Sequence, residues 1–237
     1  MISSIQSTVE GLLDLIYPPR CLVCQTFGPH YLCTSCLSQI ERVSRPYCPR
    51  CGHAMPTFRC RDCWGRVRSF TTARAAGTYS GVLRQAIHEF KYGGGRMLAH
   101  PLALLLHRYL TTAADFPWRR ADCVVPVPIH PARRRVRGYN QGELLADQLC
   151  EMIGLPLVRD AVIRRFHTRP QVELSGEQRR SNVKDAFRVI QPAELKGKTV
   201  LLVDDVGTTG STVHECSLAL LRAGVYRVYV ICLAFDA

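Results

Sequence analysis

Residues 200–212 read VLLVDDVGTTGST. Four apolar residues run straight into two adjacent carboxylates, and almost no large side chain follows. The apolar run has the length and branching of a buried strand. Beyond it, Gly207 and Gly210 permit tight turns and positive φ. The free N–H groups that open the next helix favour a phosphate. Thr208, Thr209, Ser211 and Thr212 add hydroxyl donors. The stretch therefore offers a phosphate cradle beside Asp204 and Asp205, which only accept. Carboxylates next to a phosphate suit a ligand whose hydroxyls, or whose Mg2+, they hold. A sugar phosphate has both a phosphate and vicinal hydroxyls. The Gly-Lys-Ser/Thr of a Walker A loop is missing, and so is the GxGxxG dinucleotide pattern. The plainer reading is a strand end with an Asp-rich helix cap.

Outward from this stretch, strands alternate with helices. A strand is predicted over 71–80. A helix follows, with Val82, Leu83, Ala86, Ile87 and Phe90 on one face, and Gly93–Gly95 end it. A second helix covers about 96–113. The apolar strand 123–128 is stopped by its prolines, and 129–140 reads as a loop. A helix near 141–153 turns Leu144, Leu145, Leu149 and Ile153 inward. A strand lies near 156–163, and 164–183 is polar, with a helix start at SGEQRR (175–180). Residues 186–190 make a short strand, 210–223 a helix and 226–235 the closing strand. Such alternation predicts a parallel α/β sheet, whose ligands sit outside the carboxyl ends of the strands. Asp204 and Asp205 stand at such an end.

The N-terminal third follows another logic. Eight of the twelve cysteines fall before residue 64, as the pairs Cys21/Cys24, Cys33/Cys36, Cys48/Cys51 and Cys60/Cys63. Each CxxC turn aims two thiolates at one point, and two turns complete a tetrahedral Zn site. The segment is too short for a good apolar core, so two structural Zn2+ ions would supply its folding energy. Disulfides compete with this reading, but the first 17 residues hold no Lys or Arg to start a secretion signal. Two consecutive four-cysteine sites are the simplest pairing, and a cross-braced pairing uses the same residues. His30 and His53 are spare ligands. Cys123, Cys150, Cys216 and Cys232 stand alone in apolar surroundings and read as small core residues.

Composition sets the remaining bounds. Of 237 residues 47% are hydrophobic, so a real core is within reach, and the formal charge is +12. Two Zn(Cys)4 units of about −2 each would bring that nearer +8. No apolar run reaches the length of a membrane span, so a cytoplasmic protein is expected. Ile5, Val9, Leu12, Leu13 and Ile16 share a helical face, which suggests a docking helix over 1–19. Twenty-seven of the 31 basic residues are Arg. Guanidinium suits phosphate and nucleic acid, although a GC-rich genome produces the same bias.

The opening stretch resembles the 5-phosphoribosyl-1-pyrophosphate (PRPP) motif of type I phosphoribosyltransferases. That resemblance implies that Asp204 and Asp205 bind the ribose hydroxyls and serve as the catalytic carboxylates. It implies that Val206, Gly207, Thr208, Thr209, Gly210, Ser211 and Thr212 wrap the 5′-phosphate. LIYPPRCLVC, FKYGG, VVPVPIHPARRRVRGYNQGELLA, RPQVEL and QRRSNVKDAF together resemble the ComF/GntX family of competence-related proteins over nearly the whole chain. The family implies a type I phosphoribosyltransferase-like parallel sheet (70–237) carrying an N-terminal double zinc ribbon (20–64). It also implies a role in DNA uptake during natural transformation, with partner proteins of the uptake machinery.

By the same resemblance, PVPIH (126–130) marks the pyrophosphate loop, and Arg133, Arg134, Arg135 and Arg137 would neutralise pyrophosphate or a DNA backbone. A solvated basic loop is the alternative. Residues 164–183 match the mobile hood of such enzymes, with Arg169, Gln171, Arg179 and Asn182 near PRPP. Lys91 is either a PRPP contact or a lysine that snorkels to the surface. Tyr139 either stacks on a base or packs, and Asn140 caps a helix.

Two functions follow. One is an enzyme that transfers ribose 5-phosphate from PRPP, with Mg2+, to an unidentified acceptor. The other is a binding module for single-stranded DNA. For the second, residues 42–74 hold eight arginines against Asp62 alone, interleaved with Tyr47, Phe58, Trp64 and Phe70. That mixture suits single strands, whereas Phe58 and Trp64 are expected to form the ribbon's small core.

Overall fold

The computed structural model describes residues 19–55, 57, 59, 60, 62–166, 184–207 and 210–236. The expected N-terminal helix, the SGEQRR helix start, Phe58, Arg169, Gln171, Arg179, Asn182, Thr208 and Thr209 lie outside them. A short helix α1 (Thr34–Ser38) sits in the cysteine-rich part. Then come β1 (Thr72–Thr78), α2 (Gly81–Tyr92), α3 (Ala99–Thr112), β2 (Cys123–Pro126), α4 (Pro131–Arg137), α5 (Gln141–Ile153), β3 (Val162–Arg164), β4 (Phe187–Val189), α6 (Pro192–Leu195), β5 (Thr199–Gly207), α7 (Ser211–Arg222) and β6 (Arg227–Phe235).

Four strands form one sheet in the order β1-β6-β5-β2, and every neighbouring pair is parallel. A sheet buried on both faces needs apolar side chains on both, and β5 and β6 supply them alternately. Leu201 and Val203, with Tyr229, Ile231 and Leu233, face a core built by α2, α3 and α5. Val200 and Leu202, with Val228, Val230 and Cys232, face a second core closed by Val213, Cys216 and Leu220 of α7. Leu102, Leu106, Leu110, Leu145 and Leu149 are fully buried on the first face. Each contributes roughly 1.5–3 kcal/mol through removal from water.

The two cysteine clusters take opposite faces. Cys21 and Cys36 join the first core, and Cys48 and Cys51 join the second. The chain from Glu41 to Arg50, reaching into the second cluster, runs along the edge of β1. There the Thr78 amide donates to Glu41 O (2.9 Å) and the Ala73 amide to Arg50 O (2.7 Å). Arg74, nearly buried on this edge, donates to Pro49 O and pairs with Asp115 at 3.0 Å. An otherwise open strand edge is thus covered by the chain's own linker.

Three expectations need correction. Residues 131–137, read as a loop, form α4. Pro131 occupies its first turn, His130 Nδ1 caps it by accepting from the Ala132 amide at 3.2 Å, and Gly138 closes it in the left-handed region. The strand expected over 156–163 splits: Leu157 makes a single bridge to Val124. Val162–Arg164 instead pairs antiparallel with β4 in a separate two-stranded sheet. Trp64, expected in the ribbon core, is 62% exposed, with the Arg59 guanidinium 4.1 Å from its ring centroid. Among the described residues no helix is long and apolar enough to cross a membrane.

Candidate functional site

β5 outruns its neighbour. Its pairing with β2 ends at Pro126–Val203, whereas its pairing with β6 continues through Asp204–Cys232 to Gly207–Phe235. Asp204 and Asp205 therefore project from a strand held on one side only, beside the notch where β2 has stopped. Proline at Pro126 and Pro128 ends β2 there, since proline lacks the amide a ladder needs.

The carboxylates are surrounded by cations from three other elements. Lys91, in the last turn of α2, places Nζ 2.9 Å from Asp205 Oδ1, with both side chains largely buried. Asp204 Oδ1 accepts from the Asp205 amide at 2.9 Å. Burial, reinforced by the Asp205 charge, pushes the Asp204 carboxyl up to about 7, against the opposing pull of Lys91 and Arg164. Arg164, at the end of β3, is 7% exposed and lies over the Phe187 ring. Burial and then the Arg133 charge lower its guanidinium to about 10, while Asp204 opposes them. Burial and the Arg137 charge lower Arg133 in the same way, and Asp205 opposes. Charge effects at this range link Lys91, Arg133, Arg164 and both aspartates into one cluster.

The four arginines of α4 do not act as one patch. Arg133 is half-buried and near enough to feel the Asp205 charge. Arg134 pairs with Glu143 at 3.1 Å. Arg135 is exposed. Arg137 donates to Gln141 Oε1 and Tyr92 Oη, each at 3.0 Å. Tyr139 packs: it is buried, and its hydroxyl donates to Phe90 O. Asn140 caps α5 by accepting from the Gly142 amide at 3.0 Å.

After β5 the chain reaches Gly210, which has φ +67° and starts α7. Ser211, just behind it, is buried. A strand end followed within a few residues by a helix N-terminus is an arrangement that presents N–H groups to an anion. Thr212 also lies in the first turn of α7. Val206 is half-buried beside the aspartates.

The eight N-terminal cysteines form two sets, Cys21/Cys24/Cys33/Cys36 and Cys48/Cys51/Cys60/Cys63, each with its sulfurs within 4.8 Å of one another. The consecutive pairing therefore holds and the cross-braced one does not. Tetrahedral zinc with Zn–S bonds of about 2.3 Å puts sulfurs about 3.8 Å apart. The observed Cys21–Cys36 and Cys24–Cys33 separations are 3.7 and 3.6 Å, and Cys51–Cys60 is 3.4 Å. These suit a metal and are far too long for disulfides, in which sulfurs are about 2.05 Å apart. His53 is no ligand: it stacks on Phe235 at 4.5 Å. Cys123, Cys216 and Cys232 are fully buried and Cys150 is half-buried, as core residues should be.

Sequence reasoning missed Arg164 and Arg68. For Arg164 a signal existed, because Val162 and Arg164 share the inward side of a strand with Ile163 between them. Arg68 Nη1 stands 3.4 Å from where a Cβ on Gly210 would lie, a long-range approach that had no local signal.

The double zinc ribbon domain family matches residues 12–64, and the phosphoribosyl transferase domain family matches residues 138–237. Competence protein F of Haemophilus influenzae is 34% identical over 89% of this chain and 94% of its own. The chain belongs to the competence protein F family. Other members are the DNA utilization protein YhgH of Escherichia coli, 33% identical over 95% of this chain and 97% of its own, and competence protein ComFC of Bacillus subtilis, 26% identical over 81% of this chain and 79% of its own. Among solved structures, the allosteric regulatory enzyme of purine biosynthesis aligns at 21% identity and TM-score 0.39, over 57% of this chain. This chain spans about a quarter of that structure, 26%. A purine phosphoribosyltransferase from Pyrococcus horikoshii aligns at 19% identity and TM-score 0.33, over 56% of this chain and 69% of its own.

Proposed function

We propose that this competence-family protein binds PRPP at the end of β5 and takes part in DNA uptake, with single-stranded DNA as its partner. The observation that carries the reading is the placement of Asp204 and Asp205. They lie on the rigid end of a buried strand, one turn before a helix N-terminus and among Lys91, Arg133 and Arg164. The carboxylates suit the two ribose hydroxyls as acceptors. The turn at Gly207–Thr212, with Thr208 and Thr209 adding hydroxyls, takes the 5′-phosphate. Lys91, Arg133, Arg164 and Arg169 then take the pyrophosphate end.

Mg2+ fits this donor set as a hard cation on carboxylate oxygens. Among the described residues, however, the groups of three or more metal-ligating atoms are the two cysteine sets. The aspartates alone are no cage, so the cation would arrive on the pyrophosphate oxygens, where it neutralises charge. Arg133 and Arg164 supply fixed positive charge at the same place.

DNA enters through the relatives named for competence and DNA utilization and through the basic ribbon surface. Trp64 is exposed under the Arg59 guanidinium, and Tyr47 lies between Arg45 and Arg74, 5.2 and 5.0 Å from its centroid. Tyr47 is half-buried, with its hydroxyl on Asp115, so the exposed Trp64 ring beside Arg59 is the platform on which an unpaired base would stack. A second reading is transfer of ribose 5-phosphate. The C1–O bond to pyrophosphate would break, pyrophosphate would leave with its electron pair, and an acceptor would bond to C1. The cation cluster around the carboxylates favours that reading as well.

The experiment is calorimetric titration of the Asp204→Asn, Asp205→Asn double variant with PRPP and Mg2+. Asn keeps size and loses charge. Hydrogen bonds to charged groups are worth roughly 1.5–3 kcal/mol, so affinity should fall at least about tenfold per site. Equal binding by variant and wild type would remove the carboxylates from the ligand site.

A further inference from the structure

A second cleft opens at the β1 edge of the sheet, with β6 between it and β5. It lies where the chain that follows Glu41 crosses β1. Its open part measures about 630 Å³ and is lined by Arg45, Pro46, Tyr47, Pro49, Arg74 and Asp115. A narrower part of about 170 Å³ shares Arg45, Tyr47, Arg74 and Asp115 and adds Arg42 among its walls. Small-molecule sites measure roughly 300–1,000 Å³ and combine apolar walls with a few placed polar groups. Here the two prolines and the half-buried Tyr47 ring are the apolar walls.

One wall carries a fixed carboxylate. Arg74, 3% exposed, donates through Nε and Nη2 to Asp115 Oδ2, at 3.3 and 3.0 Å. Its Nη1 holds Pro49 O and Ala73 O, at 3.0 and 2.8 Å. The Tyr47 hydroxyl donates to the same Asp115 Oδ2 at 2.9 Å. Burial would raise the Asp115 carboxyl. The bonds from Tyr47 and Arg74, with the Arg74 charge, outweigh it and hold the group below its ordinary value. Asp115 is therefore ionised at neutral pH, and an ionised carboxylate only accepts. None of these three bonds uses Oδ1, and 38% of the Asp115 side chain stays exposed. The rim is cationic. Arg42 and Arg45 are exposed, and Arg45 Nη2 reaches the Tyr47 hydroxyl at 3.2 Å. Bracing the edge of β1 accounts for Arg74 and Pro49. It does not call for an accessible carboxylate flanked by two arginines.

We propose that this cleft binds a guanine nucleotide, with its phosphate on Arg42 and Arg45 and its base edge on Asp115. Guanidinium groups suit phosphate oxygens, and the flat base packs against the prolines and the Tyr47 ring. The carboxylate selects the base. Guanine presents N1–H and N2–H side by side, two donors toward one acceptor. Thymine flanks its single N–H with two carbonyl oxygens, which the Asp115 charge repels. Adenine and cytosine set a ring acceptor beside their amino group. The ligand is either a free nucleotide or one unit of single-stranded DNA, since both carry the same base and phosphate. The site lies apart from the end of β5 and does not depend on PRPP binding there.

The test titrates zinc-loaded full-length protein calorimetrically with dGMP, dTMP and a single-stranded oligonucleotide of deoxyguanosine. Wild type should bind dGMP about five- to a hundredfold more tightly than dTMP, the worth of one well-placed base contact. The Arg42→Gln, Arg45→Gln double variant changes only exposed side chains. It should weaken dGMP binding at least about tenfold, the worth of one charge-assisted hydrogen bond, and keep the preference for guanine. Asp115→Asn should instead erase that preference, a change that a brace of β1 would not produce. The Asp204→Asn, Asp205→Asn variant should bind dGMP as wild type does. Oligonucleotide binding that weakens in the arginine variant assigns the cleft to DNA. Binding of dGMP without the oligonucleotide assigns it to a free nucleotide. Three results would overturn the inference: no binding of either ligand by wild type, equal binding by a folded arginine variant, or loss of dGMP binding in the Asp204, Asp205 variant alone.

Discussion

Asp204→Asn should make the folded protein more stable at pH 8.5 while damaging its ligand site. Burial and the Asp205 charge hold the Asp204 carboxyl at about 7, against an ordinary 3.8. A folded value above the unfolded one means that the native state binds this proton more tightly. The carboxyl then carries no penalty below about pH 4, and the penalty grows as pH rises until it is complete above about pH 7. Fully developed, it costs the fold up to roughly 4 kcal/mol. Asn at the same place has no charge to desolvate, and Lys91 keeps its Asp205 partner at 2.9 Å. A gain of about 1 kcal/mol raises Tm by roughly 2–4 °C in a chain of this size, so the variant should melt several degrees higher. At pH 5.5 wild type is largely protonated at Asp204, and the advantage should shrink by roughly half. Thermal melts of the zinc-loaded proteins at both pH values decide the matter. A variant that melts at or below wild type at pH 8.5, or a gap that ignores pH, would refute the reasoning. A carboxylate retained at such a cost is what a binding site requires and a mere strand end does not.

Metal analysis should find close to two zinc ions per chain, and protein without zinc, with thiols oxidised in pairs under reducing purification, would contradict the cysteine geometry. Single-stranded DNA should bind with an affinity that falls steeply with salt, since counterion release scales with the phosphates neutralised. Replacing Arg133, Arg134, Arg135 and Arg137 together should flatten that slope in a filter-binding assay, and an unchanged slope would remove α4 from the DNA surface. Trp64→Ala should weaken the same binding about five- to a hundredfold, the range for one stacked base, with zinc content unchanged; undiminished binding would assign Trp64 no part in it.

The sheet was legible because its strands are apolar runs bounded by Gly and Pro, and the helices because their apolar faces repeat at helical spacing. The four CxxC pairs announced the metal sites through short-range geometry alone. Only the placement of sulfurs in space chose the consecutive pairing, since both pairings use the same residues. What stayed hidden was mostly long-range. The Lys91–Asp205 pair joins residues 114 positions apart in number, and no local pattern foretells it. Arg164 was masked because a charged residue next to a polar segment reads as loop, although it faces inward from a strand. Helix α4 was lost because Pro131 and three consecutive arginines look like a basic loop, while the same proline fits the first turn of a helix. Trp64 was assigned to a core by its size. A ribbon that folds on metal needs little apolar interior, which leaves that ring free for the surface.

The central claim is that the end of β5 is a PRPP site. Calorimetric titration of zinc-loaded wild-type protein with PRPP, with and without Mg2+ and from pH 6 to pH 8, tests it most directly. The account predicts saturable binding at one site per chain, strengthened by Mg2+. Affinity should rise with pH through about 7 as Asp204 loses its proton. No binding by well-folded, zinc-loaded protein, or binding indifferent to both Mg2+ and pH, would contradict it.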